Sequence, residues 1–349
     1  MRAPRTPWSL VGRSSKKIRS LRQRRSNCRA MHLTLTLIRE AHTRIKDKIN
    51  HTPVLTSATL DAKAGAQLFF KCENFQKVGA FKARGATNAV FLLSDAQARR
   101  GVATHSSGNH AAALARAAGL RGIAAHIVMP SNAPQAKQAA VARYGGRIVF
   151  CEPTLAARES TCARVIAETG ATLIHPYDDL HVMAGQGTTA LELLASVPEL
   201  DWLLCPVGGG GQLSGVAVAS KGLKPSIRVV GVEPAGADDA YRSFQAGHII
   251  PSVNPHTIAD GLRSSLGKQP FAEIQRHVDE IVTVSEESIV QAMRTIWEVM
   301  KIIIEPSAAV PYAAILEEKI KIAGRNVGII LSGGNLDLDT LPWMKKADH

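Results

Sequence analysis

The stretch AFKARGA, residues 80–86, sets Lys82 between Phe81 and Arg84, beside the small residues Ala80, Ala83 and Gly85. A surface lysine needs no such company. A lysine that does chemistry has reason for it, because an amine nucleophile must be held within reach of its partner by closely packed chain.

Other segments offer groups such a lysine would work with. In CPVGGGGQLSGVAVAS, residues 205–220, Gly208, Gly209, Gly210 and Gly211 follow an apolar run and precede a small-residue helix. Glycines let several backbone N–H groups crowd round one oxyanion, and a helix N-terminus favours the same charge. No GK[ST] follows, so this is not a Walker loop. The run is not the GxGxxG of a dinucleotide fold either, since Leu213 and Ser214 stand where its third glycine would fall. A plain flexible loop is the alternative. In THSSGNHAAAL, residues 104–114, Ser106, Ser107 and Asn109 gather short polar groups at a helix start, with His110 next in line. That suits a carboxylate or an aromatic hydroxyl. Helix capping is the simpler alternative, but one such residue suffices for it. Ser332 in LSGGN ends an apolar run, where a hydroxyl can meet a ligand atom or merely open a turn. Glu233, Asp238 and Asp239 in GVEPAGADDA suit a hard cation such as Mg²⁺ or Ca²⁺, or form a solvated acidic loop.

A phosphate, a ring and an aldehyde would occupy the cup, the serine positions and Lys82 together. Pyridoxal 5′-phosphate carries all three, and lysine is the residue that forms its Schiff base.

FKCENFQKVGAFKARGA, SSGNHAAAL, VGGGGQLSG, GVEPAGADDAY, TIADGL, IEPSAAV and LSGGN resemble, in order, the serine/threonine dehydratase and serine racemase group. These are fold type II pyridoxal phosphate enzymes, the tryptophan synthase β-like class. The likeness runs from about residue 34 to about residue 340. It implies that Lys82 is the Schiff-base lysine and one catalytic base, and that Ser107 is the acid or base on the opposite face. It implies cofactor contacts from Phe81, Asn109, Gly208–Gly211, Glu305 and Ser332, with Asn109 on the 3′-oxygen and Ser332 at the ring nitrogen. Ser106, Ser107 and His110 would border the substrate carboxylate. Glu233, the carbonyl of Ala237 and Asp239 match the divalent-cation site of the racemase-like members. Tyr177 stands where dehydratases of the group carry phenylalanine, so its ring is expected against the cofactor ring, which leans toward dehydratase chemistry.

The activity implied is an ammonia-lyase acting on L-serine- or L-threonine-type β-hydroxy amino acids, releasing a 2-oxo acid and ammonia. Two alternatives stand beside it: a serine racemase with side elimination, and a threo-3-hydroxyaspartate or phenylserine dehydratase. The last would want an arginine in the pocket for a second carboxylate. Arg84 and Arg143 are candidates that the sequence does not place. The family likeness also implies a homodimer.

The elements that must position these residues alternate. Apolar runs such as AQLFFKCE, IAAHIVMP, RIVFCE, TLIHP, DWLLCP, SIRVVGVEP and VGIIL read as strands. HAAALARAAGL, ending at Gly119, reads as a helix, as do PQAKQAAVARYGG, TLAARESTCARVIAETG and GQGTTALELLASV. Such alternation predicts an α/β fold of two doubly wound domains with mostly parallel sheets, whose ligands bind at the carboxyl ends of strands. The expected division is a larger domain from residues 31–97 and 179–349, and a smaller mobile one from 98–178.

The 349 residues are 45% apolar, enough for a large core without staples. The five cysteines are scattered and form no CxxC pair, which points to a reducing compartment and places the protein in the cytoplasm. No run of eighteen apolar residues is present, so no membrane span is expected. The first thirty residues hold eight Arg and two Lys and no acid. Removing those ten charges from the formal net charge of +13 leaves +3, so nucleic acid is not an expected partner of the body of the protein. The tail itself reads as a disordered basic extension without a role, as an organelle transit peptide, or as a loose anion-binding arm.

Overall fold

The structure is a computed structural model, which describes Met1 and residues 32–106, 108–133 and 135–344. The basic stretch after Met1 and the candidate residue Ser107 lie outside the described residues. The elements below belong to Leu33–His349.

The chain opens with α1 (Leu35–Ile45), capped by the Thr34 hydroxyl, then the short β1 (Val54–Leu55), α2 (Ala58–Ala64) and β2 (Gln67–Cys72). Lys82 is the first residue of α3 (Lys82–Leu92), which leads through α4 (Asp95–Arg99) to β3 (Val102–His105). Helix and strand then alternate as the pattern predicts: α5 (Asn109–Arg121), β4 (Ala125–Pro130), α6 (Gln135–Arg143), β5 (Arg147–Cys151), α7 (Leu155–Thr169) and β6 (Thr172–Leu173). The run continues with α8 (Leu180–Ser196), β7 (Trp202–Pro206), α9 (Gly211–Leu223), β8 (Arg228–Pro234), α10 (Asp239–Ala246), α11 (Lys268–His277) and β9 (Glu280–Val284). It closes with α12 (Glu286–Met300), α13 (Pro306–Leu316) and β10 (Asn326–Leu331). Two boundaries differ from expectation. Helix α5 runs past Gly119 and stops at Gly122, whose left-handed φ of 69° ends it. Helix α8 begins five residues before GQGTTALELLASV, because the Asp179 carboxylate caps it.

Among the described residues, ten strands make two sheets. The larger has the order β1-β2-β10-β7-β8-β9, parallel apart from β1 against β2. The smaller has the order β5-β4-β3-β6, all parallel, and draws its strands from residues 102–173 alone. Each sheet is covered on both faces by apolar clusters. One side of the large sheet packs Ile289, Met293 and Tyr312 of α12 and α13, and the other packs Met183, Leu193 and Leu213 of α8 and α9. The small sheet lies between Leu114 of α5 on one side and Cys162 and Val165 of α7 on the other. The fold is α/β, as the alternation requires. Among the described residues no helix is long and apolar enough to cross a membrane.

The small residues of AFKARGA have a packing reason. A Cβ on Gly85 would stand 2.7 Å from the Val182 carbonyl oxygen, and one on Gly185 would stand 2.7 Å from that of Arg84. Helices α3 and α8 therefore cross backbone to backbone. This brings Arg84, fully buried, onto Glu192 of α8: Nη1 to Oε1 and Nη2 to Oε2 are each 2.7 Å. The same guanidinium grips Glu73, with Nε to Oε2 at 2.7 Å and Nη2 to Oε1 at 2.8 Å. Lys71 of β2 donates to Glu192 Oε2 at 2.7 Å and to the Thr52 carbonyl at 2.8 Å. Two cations thus meet two anions in a sealed layer. Burial alone would raise the Glu192 carboxyl, but Arg84 and Lys71 outweigh it and hold it down at about 2.

Removing one member of a buried ion cluster strands the others. Arg84→Met is expected to lower unfolding stability by about 3–5 kcal/mol, measured by urea unfolding of the apoprotein. A loss below about 1 kcal/mol would show that the cluster does not hold α3 against α8.

Candidate active site

A cavity of about 280 Å³ opens at the carboxyl ends of β7, β10 and β3 and beside the segment that follows β6. That is where ligands of doubly wound sheets bind, and the size suits a small molecule. It gathers Phe81, Lys82, Ser106, Asn109 and His110 from the first half of the chain. Tyr177, Gly208–Gly211, Glu305 and Ser332 join them from the second.

Backbone bonds put Lys82 next to Ser332. Phe81 N donates to the Ser332 carbonyl at 3.0 Å, Gly334 N donates to the Gly79 carbonyl at 2.9 Å, and Ala80 bridges Gly333 antiparallel. The turn into this seam passes through Val78 and Gly79, both left-handed with φ of 58° and 70°. The Lys82 ammonium donates to the Pro176 carbonyl at 2.8 Å and lies 5.0 Å from the Phe81 ring centroid. Burial lowers its pKa from 10.5 to about 8, with Glu305 pulling the other way. A substantial neutral fraction near neutrality is what a nucleophilic lysine needs.

Across the cavity the glycine loop opens α9. Gly210 is the N-cap, at a φ of 84° that side chains avoid. A Cβ on Gly209 would fall 2.5 Å from Cδ1 and Cδ2 of Tyr177, so the phenol ring lies flat on the loop. Burial pushes the pKa of the Tyr177 phenol up, with Ser264 pulling it the other way. The segment carrying it is fixed at both ends. His175 Nδ1 accepts from the backbone N–H of Asp178 at 2.9 Å, and the Asp178 carboxylate caps α11 through Lys268 N and Gln269 N at 3.2 and 2.9 Å.

The serine segment opens α5. Ser106 Oγ accepts from Gly108 N at 3.4 Å. Asn109 Nδ2 donates to both oxygens of Glu305 at 3.0 and 3.2 Å, a tie between the start of α5 and the N-cap of α13 that residue order does not reveal. His110 faces the Ile174 carbonyl through Nε2 at 3.1 Å, and burial drives its pKa down to about 3. His175 is pushed down to about 4, again by burial. Burial holds these imidazoles neutral, so the fixed positive potential at this end comes from the N–H groups of the first helical turn.

The structure also adds cavity residues that the sequence left unmarked. Lys137, Arg158 and Arg263 line the mouth. Lys137 pairs with Asp260 at 2.5 Å, and Arg263 donates through Nε to the Thr257 carbonyl at 3.0 Å. Arg158 has neither an ion pair nor a side-chain hydrogen bond among the described residues. No signal could have singled it out, since an arginine on an amphipathic helix is ordinary. Arg84 belongs to the sealed ion cluster, and Arg143 is not among the lining residues.

Glu233 and Asp239 lie away from this cavity, both fully buried. Glu233 accepts from Ala240 N and Tyr241 N at 3.1 and 2.9 Å, while Asp239 Oδ2 accepts from Leu266 N at 3.0 Å. Burial raises Glu233 to about 9 and Asp239 to about 6. Asp239 Oδ1 is buried with no partner. Asp238 instead pairs with Arg242 at the surface, at 2.8 Å. Among the described residues no three His, Cys, Asp or Glu side chains form a metal-sized group.

The crowding at Gly209 is testable. Gly209→Ala must displace the Tyr177 ring, and overpacking of this kind costs about 1–3 kcal/mol. The expected result is a fall of roughly 2–10 °C in the melting temperature of the apoprotein. An unchanged value would contradict the stacking of Tyr177 on the loop.

Comparison with known proteins agrees with this geometry. Residues 45–333 match the family model described as pyridoxal-phosphate dependent enzyme. The chain is 55% identical over 303 residues to the β-hydroxyaspartate dehydratase of Paracoccus denitrificans, covering 87% of this chain and 96% of that one. Among solved structures, the serine racemase of Dictyostelium discoideum superposes with a TM-score of 0.85 at 48% identity, covering 88% of this chain and 99% of that one. A threonine deaminase from T.th. does so with a TM-score of 0.84 at 42% identity, covering 87% and 99%. A cavity with a half-buried lysine opposite a glycine loop, on a tryptophan synthase β-like fold matched over most of its length, identifies the chain as a member of the pyridoxal-phosphate dependent enzyme family.

Proposed function

We propose that this protein is an ammonia-lyase that removes the β-hydroxyl and the amino group of a hydroxy amino acid, leaving a 2-oxo acid and ammonia. The observation that carries this reading is the Lys82 amine, held in the cavity with its pKa lowered to about 8, opposite the glycine loop. Pyridoxal phosphate, when bound, supplies the aldehyde carbon and the electron sink. Gly208–Gly211 and the start of α9 would hold its phosphate, Asn109 would meet its 3′-oxygen, and Phe81 and Tyr177 would flank the ring. Lys82 anchors it and moves the proton at the substrate Cα. Ser332 offers the ring nitrogen a hydroxyl, which cannot enforce protonation as a carboxylate would. Negative charge at Cα is then better relieved by expelling the β-hydroxyl. The first turn of α5, with Ser106, orients the substrate carboxylate.

Within the hydroxy amino acids, Arg158 favours a substrate with a second carboxylate. It is a cation at the cavity mouth without an anionic partner among the described residues. The 55% identity to a β-hydroxyaspartate dehydratase supports the same class. Serine racemisation is the second reading, favoured by the likeness to a serine racemase. Ser107, outside the described residues, would then be the proton donor on the face opposite Lys82. Residues 98–178 are read as a small domain that closes on substrate, and the Lys137–Asp260 pair supports a latch across the mouth. The homodimer, by likeness to the family, and the cytoplasm, by the unpaired thiols Cys72, Cys151, Cys162 and Cys205, belong to this reading.

A divalent cation fits Glu233, the carbonyl of Ala237 and Asp239. Two buried carboxyl groups without a cation are held protonated or strained, and an unpartnered Asp239 Oδ1 is a ready ligand. Mg²⁺ or Ca²⁺ would let both ionise and would brace the start of α10, away from the reacting atoms.

The holoenzyme should release 2-oxo acid and ammonia from a hydroxyaspartate isomer faster than from serine or threonine. Arg158→Ala should raise KM for hydroxyaspartate about tenfold and leave serine nearly unchanged, as loss of a charge-assisted bond implies. Equal effects on both substrates would refute the second-carboxylate role, and enantiomer formation outrunning oxo acid would make the protein a racemase. Chelation with EDTA should lower the melting temperature by a few degrees, recovered by Mg²⁺ or Ca²⁺. No change would contradict the cation site.

A further inference from the structure

The family likeness implies a cofactor contact for Glu305 without saying what it does, and the structure sets it as a carboxylate 4% exposed in the wall of the cavity. Its partners are amides: Asn109 Nδ2 at 3.0 and 3.2 Å and Asn335 N at 3.2 Å. Room for it comes from Gly333, where a Cβ would stand 2.6 Å from Glu305 Oε1. The glycines of LSGGN thus admit an acid to the seam beside Lys82.

A chain of polarity leads to it. The Val78 carbonyl can accept only, and Asn335 Nδ2 donates to it at 2.7 Å. The same Asn335 nitrogen donates to Asn109 Oδ1 at 2.9 Å. The Asn109 oxygen therefore faces Asn335, and its nitrogen must face Glu305. An ionised carboxylate accepts and never donates, so both ends of the Asn109 amide are told apart. Turning that amide over would oppose two donors at Asn335 and two acceptors at Glu305. One Asn109 N–H remains for a ligand in the cavity.

We propose that Glu305 is a positioning residue that locks the side-chain amide of Asn109 as a donor toward the cofactor, and that protonation of Glu305 loosens this lock. This rests on the pyridoxal phosphate reading above. Charged groups face Glu305 from three elements: Lys82 of α3, Lys137 of α6 and Asp260 of the turn before Leu262. Burial, with Asp260, raises its carboxyl to about 7, so it is ionised above that pH and protonated below. The lock is complete on the alkaline side and fails as pH falls.

The test uses full-length holoenzyme and its absorbance spectrum from about pH 6 to about pH 8, a range set by that value. In the wild type the visible band of the bound cofactor should shift in a one-proton transition with a midpoint near 7. In Glu305→Gln, which keeps the shape but adds a donor, the transition should vanish and cofactor affinity should fall about tenfold. A Glu305→Gln protein that titrates and binds like the wild type would overturn the proposal. If that variant does not fold, Asn335→Ala removes the other anchor of Asn109 and should lower cofactor affinity in the same direction. Wild-type affinity in Asn335→Ala would overturn the proposal as well. Absence of any cofactor band in the wild type would instead sink the pyridoxal phosphate reading itself.

Discussion

The contact on which the rest of the structure depends is the buried guanidinium of Arg84 between Glu73 and Glu192. It joins three pieces of chain: the segment just after β2, the C-terminal half of α8 and the start of α3. Charges are taken out of water at a cost, and they repay it only when every donor and acceptor is met. Here two cations and two anions satisfy one another, with Thr52 and Thr188 completing the shell. Such a layer specifies one arrangement. Lys82 sits two residues ahead of Arg84, so the same anchor decides where the reactive amine stands.

From that anchor outward the cavity is built by subtraction of charge. His110 and His175 are held neutral by burial, and Lys82 is brought toward neutrality. Backbone N–H groups at the starts of α5 and α9 then supply the positive potential, without flexible cations that would need ordering. A ligand with a phosphate at one end and a carboxylate at the other meets fixed dipoles at both. Lysine and arginine side chains appear at the mouth, where Lys137 and Arg263 are already engaged and Arg158 stands apart. Under the proposed function the separation of roles is spatial, with the reacting groups at the strand ends and selection at the rim.

Much of this was legible in residue order. The strand-to-glycine passages at Pro206 and Leu331, and the strand-to-serine passage at His105, show as apolar runs broken by residues with special backbone or hydroxyl chemistry. They fall at the carboxyl ends of parallel strands, as alternation requires. Helix ends set by capping were less legible, as at Asp179 and Gly122, because one polar or glycine residue competes with a long periodic pattern. Contacts across the sequence were not legible at all. Nothing near Arg84 reveals Glu192, 108 positions away, and nothing in LSGGN reveals that its first glycine makes space for Glu305. Arg158 gave no sign, since only the fold turns that face of α7 toward the cavity.

The central claim is that Lys82 is the residue that holds pyridoxal phosphate. Borohydride reduction of the holoenzyme, followed by proteolysis and mass spectrometry, tests it most directly. One pyridoxyl group per chain is expected, on the peptide carrying AFKARGA and on Lys82 itself. A label spread over surface lysines, or fixed on another lysine, would contradict it.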